Sequence, residues 1–174
     1  MEEHERRIPV GVAAAEPLRA ALADWQSAVV RLDGVDPLTT ELVRLRAAQH
    51  HDCRVCQSLR WVEARDAGFD ESMTDKVRAY EASDLPDRHK AALRLADALM
   101  TQPGRLPGGL VDELRVHFTD AELVELTLDV MKWNYQKVHV ALRTDVPPEP
   151  GQLTDLAFDG DGRPRILTGA RTAD

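Results

Sequence analysis

Cys53 and Cys56 are the two cysteines of the 174-residue chain, and they stand three apart as Cys53-Arg54-Val55-Cys56. On a helix, residues at this spacing share nearly one face, and their sulfurs come within reach of a disulfide if the turn relaxes. In a first helical turn, unpaired backbone N–H groups and the dipole favour a thiolate. The thiolate is the form that attacks peroxides and disulfides. Arg60 follows Cys56 by four residues, and on a continuous helix its guanidinium would favour the charged sulfur further. Glu41, just upstream in an apolar-periodic stretch, offers a carboxylate that could take a thiol proton. By itself such a residue is more often a solvated charge or a partner of the helix dipole. The bland alternative for the cysteines is two small buried core residues.

Metal binding is the other chemistry these side chains allow. His50, His51, Cys53 and Cys56 place four soft or borderline ligands within seven residues. Structural zinc sites usually join two separated ligand pairs. Here no second cysteine pair exists, and His89, His117 and His139 stand alone. No metal and no organic cofactor are therefore expected.

The elements that must hold these residues are helical almost throughout. Leu18, Leu22, Trp25, Val29 and Leu32 recur at spacings of three and four, which predicts an amphipathic helix over 13–32. Asp36-Pro37 reads as an N-cap followed by proline at the first helical position, opening a helix that ends near His50-His51-Asp52. A further helix is expected from Asp52 or Cys53 to Ala67, with Gly68 as its stop. The charges from Arg60 to Arg65 then read as its solvated face. Asp70 caps a shorter helix, and Leu85-Pro86-Asp87 opens another. Thr119-Asp120-Ala121-Glu122 is a capping box for a long helix through Leu142. Glu41-Leu42-Val43-Arg44-Leu45 weakly echoes Glu122-Leu123-Val124-Glu125-Leu126. After Val146, three prolines and Asp159-Gly160-Asp161-Gly162 read as an extended tail with turns. One short strand-like piece stands near Arg165-Ile166-Leu167. The predicted organisation is an N-terminal arm over 1–14, a helical domain over 15–145 and a C-terminal tail over 146–174.

Composition narrows the function. Hydrophobic residues are 43% and charged residues 30%, which fits a folded domain with its own core. A net charge of −8 argues against wrapping phosphate backbones, so no nucleic-acid partner is expected. No apolar run approaches the ~18 residues of a membrane span. The charged start, Met1 to Arg7, lacks the apolar segment of a secretory signal. A cytoplasmic protein is the expectation.

The spacing of Glu41, Cys53-x-x-Cys56 and Gly68 resembles that of the alkylhydroperoxidase D-like proteins, within the carboxymuconolactone decarboxylase superfamily. The later stretch from Thr119 to Leu126, with Asn134-Tyr135-Gln136-Lys137-Val138, looks like that family's second conserved helix. The resemblance covers roughly 15–145. It implies an all-α orthogonal helical bundle that assembles as a homo-oligomer, often a trimer or hexamer, with a dimer also allowed. It further implies a thiol-dependent hydroperoxide reductase. The cysteine matching Cys56 attacks the peroxide, the one matching Cys53 closes the disulfide, and the carboxylate matching Glu41 serves a proton relay. A dithiol reductant, protein or small thiol, then reopens the bridge.

One departure bears on that relay. The family usually carries a histidine where this chain has Arg60, and some members carry another where it has Val55. Arginine cannot shuttle protons, because its pKa exceeds about 12. The relay is then shortened to Glu41 and water, rebuilt with His50, His51 or His139, or lost. His139 is otherwise an ordinary hydrogen-bonded or surface histidine. Trp61 and Trp133 read as core or interface residues that could also line a pocket. The competing functions are a carboxymuconolactone-type decarboxylase, whose branch does not need the cysteine pair, and a catalytically impaired helical oligomer.

Overall fold

The computed structural model describes residues 5–145, 149 and 151–172. Met1 to His4, and Val146, Pro147, Pro148 and Pro150 at the start of the expected tail, lie outside the described residues. The helical body begins with α1 (Glu16–Val29) and α2 (Pro37–His50). Asp36 caps α2 as its sequence implies, its side chain accepting from Thr39 N at 2.8 Å. The body continues with α3 (Arg54–Ser58), strand β1 (Leu59–Trp61), α4 (Val62–Asp66) and α5 (Ser72–Arg78). After these come α6 (Asp87–Thr101), α7 (Leu110–His117), α8 (Asp120–Asn134) and α9 (Gln136–Leu142). The capping box at Thr119 and Glu122 is fully formed.

Helix α2 is the central strut. It has no single apolar face, because it is buried on nearly every side. Val43 and Ala47 join the cluster built from α6, α7 and α8, with Leu95, Leu114, Leu126 and Val130. Leu42 and Leu45 join a second cluster with Trp61, Phe69, Val77 and Leu93. Glu125 on α8 fastens the loop that enters α2. Its carboxylate accepts from Gly34 N at 3.0 Å and Val35 N at 2.9 Å.

Two helices expected to be continuous are divided. The predicted helix from Cys53 to Ala67 is interrupted by β1, with Leu59 already extended at ψ 145°. The cause lies about 95 residues away in sequence. The C-terminal segment forms β2 (Gln152–Phe158) and β3 (Pro164–Thr172), and β2 pairs in parallel with β1 from Leu59↔Thr154 to Trp61↔Leu156. The described part of the tail is thus a hairpin completing a small sheet of order β1-β2-β3. The long final helix is divided at Tyr135, which itself keeps right-handed helical angles.

The hairpin turn is seated on the end of α1. Asp159 Oδ1 accepts from Asp161 N and Arg163 N, which closes the turn. Gly162 has φ +76°, and a Cβ there would stand 2.2 Å from Ser27 O. Gly162→Ala should therefore unseat the hairpin and lower stability by ~1–3 kcal/mol. Gly160→Ala meets nothing within 4 Å and should be nearly neutral. Chemical denaturation of both variants checks this, and equal stabilities would contradict it.

Candidate functional site

Helix α2 ends by delivering the first cysteine. Asp52 takes φ 52°, a left-handed position that aspartate tolerates better than most residues. This turn lets Cys53 N donate to Ala48 O at 2.9 Å, across the helix end. Cys53 is then the N-cap of α3, its Sγ accepting from Cys56 N at 3.3 Å. The two cysteines form a disulfide with S–S 1.97 Å. They pack on Ala48 of α2 and Val140 of α9. Both cysteines are buried, Cys53 at 1% exposure and Cys56 at 8%.

Both cysteines line a cavity of about 330 Å³ with Val55, Gln136, His139 and Asp145. His139 reaches it from α9, whose end is shaped by Arg143 at φ 49°. That turn lets Thr144 N donate to His139 O at 2.9 Å and puts Thr144 Oγ1 3.0 Å from His139 Nδ1. Gln136 Oε1 is buried and accepts no hydrogen bond from a described residue.

The other residues singled out by spacing go elsewhere. Arg60 is on β1 and is not the next turn of the cysteine helix. Its guanidinium bonds Glu71 at 2.8 Å and the Gln57 and Leu59 carbonyls, and it is 3% exposed rather than part of a solvated face. His50 is exposed, and its ring meets His51 edge-on. His51 Nε2 lies 2.6 Å from Asn134 Oδ1. Burial holds His51 below the usual histidine range, with Lys137 and His50 adding to the effect. Neither histidine lines the cavity of the cysteine pair. Among the described residues, no three His, Cys, Asp or Glu side chains converge as metal ligands.

Glu41 and Arg44 form the polar centre of the site, and Arg44 is the residue that motif spacing missed. Arg44 Nε donates to Glu41 Oε2 at 2.6 Å and Nη2 to Oε1 at 2.8 Å. The same guanidinium donates to Cys56 O at 2.6 Å and Leu59 O at 2.7 Å. Both side chains are essentially sealed, at 1% and 0% exposure. Their three-residue separation on an otherwise buried helix was the available signal. In this chain the carboxylate orients an arginine, and the arginine grips the backbone in the middle of α3, at Cys56, and just past its end, at Leu59. Glu41 Oε1 also faces Trp61 N at 3.4 Å.

A second buried polar group lies on α8. Thr40 Oγ1 donates to Asp129 Oδ2 at 3.2 Å. Burial, with the Glu125 charge adding, pushes the Asp129 carboxyl up to about 7. Burial pulls the Lys132 amine down to about 7, against the opposing pull of Asp129.

No family model matches the chain. Two uncharacterized proteins of Mycobacterium tuberculosis, from strains CDC 1551 and H37Rv, are each 49% identical over 121 residues. Those residues are 69% of this chain, which spans only 43% of either relative's length. The uncharacterized protein YdfG of Bacillus subtilis is 26% identical over 111 residues, covering 62% of this chain and 76% of YdfG. Among solved structures, a protein of unknown function from Agrobacterium tumefaciens, described as an antioxidant defence protein AhpD, superposes with a TM-score of 0.64. It is 24% identical, and the match covers 83% of this chain and all of that one. The debrominase Bmp8 superposes at 0.63 with 15% identity, covering 76% of this chain and 72% of its own. These likenesses establish an alkylhydroperoxidase D-like helical fold.

Two tests follow from the buried charges. Glu41→Gln or Arg44→Met alone strands a charge in the interior and should cost about 3–5 kcal/mol. The double variant Glu41→Leu/Arg44→Met should cost well under the sum, and additivity in denaturant unfolding would contradict the pairing. Asp129 holds its proton to about 7 when folded against 3.8 unfolded, so its contribution to stability declines as pH rises across that window. Lys132 binds its proton less tightly folded than unfolded, so stability recovers as pH rises from about 7 towards 10.5. Asp129→Asn should flatten the first limb of a stability–pH curve and Lys132→Met the second.

Proposed function

We propose that the chain is a thiol-dependent hydroperoxide reductase, working through the Cys53–Cys56 pair as a redox-active disulfide. The observation that carries this reading is that pair, opening with His139 on one cavity. The likeness to a protein described as an antioxidant defence protein supports it. In the reduced form, the Cys56 thiolate attacks one hydroperoxide oxygen and the O–O bond breaks. The alkoxide leaves, takes a proton and becomes an alcohol, and Cys56 becomes a sulfenic acid. The Cys53 thiolate then attacks that sulfur, hydroxide leaves as water, and the disulfide closes. A dithiol partner exchanges with the bridge and restores both thiols.

His139 takes the proton role that Arg60 cannot fill. Imidazole can accept and return a proton, and this one lines the cavity with both cysteines. Glu41 acts as a positioning residue through Arg44, which fixes the Cys56 carbonyl. The reading carries with it a cytoplasmic setting, a small hydroperoxide substrate and assembly as a homo-oligomer.

Peroxide consumption with a dithiol reductant tests the scheme. Cys56→Ser should abolish it, and Cys53→Ser should stop at single turnover or depend on direct reduction of the sulfenic acid. Equal rates for wild type and both variants would overturn it. His139→Gln should lower kcat/KM by roughly 10²-fold and remove one limb of its pH profile. An unchanged profile would transfer the proton role to another group. Release of carbon dioxide from a lactone acid, surviving alkylation of both cysteines, would favour the decarboxylase reading instead.

A further inference from the structure

A second cavity lies away from the cysteines. It measures about 740 Å³, inside the ~300–1,000 Å³ range of small-molecule sites, and shares no lining residue with the cysteine cavity. Its apolar walls include Leu59, Trp133, Leu156, Phe158 and Ile166, and Lys132 lines it as well.

Lys132 is an unusual occupant of such a wall. It is only 6% exposed. Its Nζ stands 3.2 Å from the centroid of the Trp133 ring and 5.2 Å from that of Phe158. Among the described residues it has no ion pair and no hydrogen bond, and its ammonium lies against two ring faces. A buried ammonium that makes no ion pair is costly, and burial holds the amine down to about 7. Asp129 opposes that shift and Arg44 reinforces it. A second donor is also unspent. Trp133 lines the same cavity, and its buried indole N–H has no acceptor among the described residues.

We infer that this cavity binds an amphiphilic monoanion, an apolar body with one carboxylate, the carboxylate taking Lys132 as its counter-charge. The walls supply the hydrophobic contribution and the one buried cation selects one acidic head. The remaining charges of the lining, Glu16, Asp24 and Arg163, are exposed, where solvent and salt screen them. The site stands independently of the peroxidase reading, because it involves neither cysteine.

Decanoate is the probe and decanol the uncharged control, each titrated by calorimetry at about pH 6, where the amine is charged. Wild type should bind decanoate at least ~10-fold more tightly than decanol. Lys132→Met should erase that preference while keeping decanol binding, and its retained binding and circular dichroism show that it is folded. Equal affinities for the two probes in wild type, or an undiminished decanoate preference in Lys132→Met, would overturn the inference. Failure of both probes to bind, with sedimentation showing a second copy covering this face, would overturn it too.

Discussion

The cysteine turn is held by one buried ion pair. Removing a carboxylate and a guanidinium from water is expensive unless nearly every hydrogen-bonding group finds a partner. Arg44 meets that condition through both oxygens of Glu41 and the carbonyls of Cys56 and Leu59. The pair therefore ties the interior of α2 to the middle of α3 and to the residue that ends it. The backbone of the cysteine turn is thus anchored independently of the disulfide. The same constraint ends α3 at Ser58, because Leu59 must turn its carbonyl to Arg44 while its strand meets β2.

That arrangement also explains why Arg60 cannot replace a histidine beside the thiols. Once the chain enters β1, residue 60 no longer follows the helical period from residue 56. Its guanidinium is engaged by Glu71 of the following segment and by the Gln57 and Leu59 carbonyls. The group that meets the cysteines comes from α9, some 80 residues later in the chain. The left-handed turn at Arg143, a local feature, sets Thr144 against the His139 ring. What it meets depends on how α9 packs against Cys53 and Cys56 through Val140.

The helices were legible because each announces itself locally. Asp36-Pro37 and the Thr119–Glu122 box act within four residues of where they stand, and the 3.6-residue period does the rest. The Glu41-to-CxxC spacing falls on α2, the turn that ends it and the start of α3, so these residues are near one another along the chain. The small sheet was not legible, because β1 is three residues long and extended only where a distant hairpin pairs with it. Arg44 escaped notice because arginine in a helix is usually solvated, and only burial on every side of α2 makes it a central residue. Lys132 was hidden in the same way, its meaning set by the aromatic walls of Trp133 and Phe158.

The central claim is that Cys56 is the sulfur that meets the oxidant. The direct measurement is mass spectrometry of reduced Cys53→Ser treated with an equimolar hydroperoxide in the presence of dimedone, a sulfenic-acid trap. The account predicts a dimedone adduct on Cys56 in most molecules. An unmodified Cys56 thiol, with the peroxide still intact in solution, would contradict it.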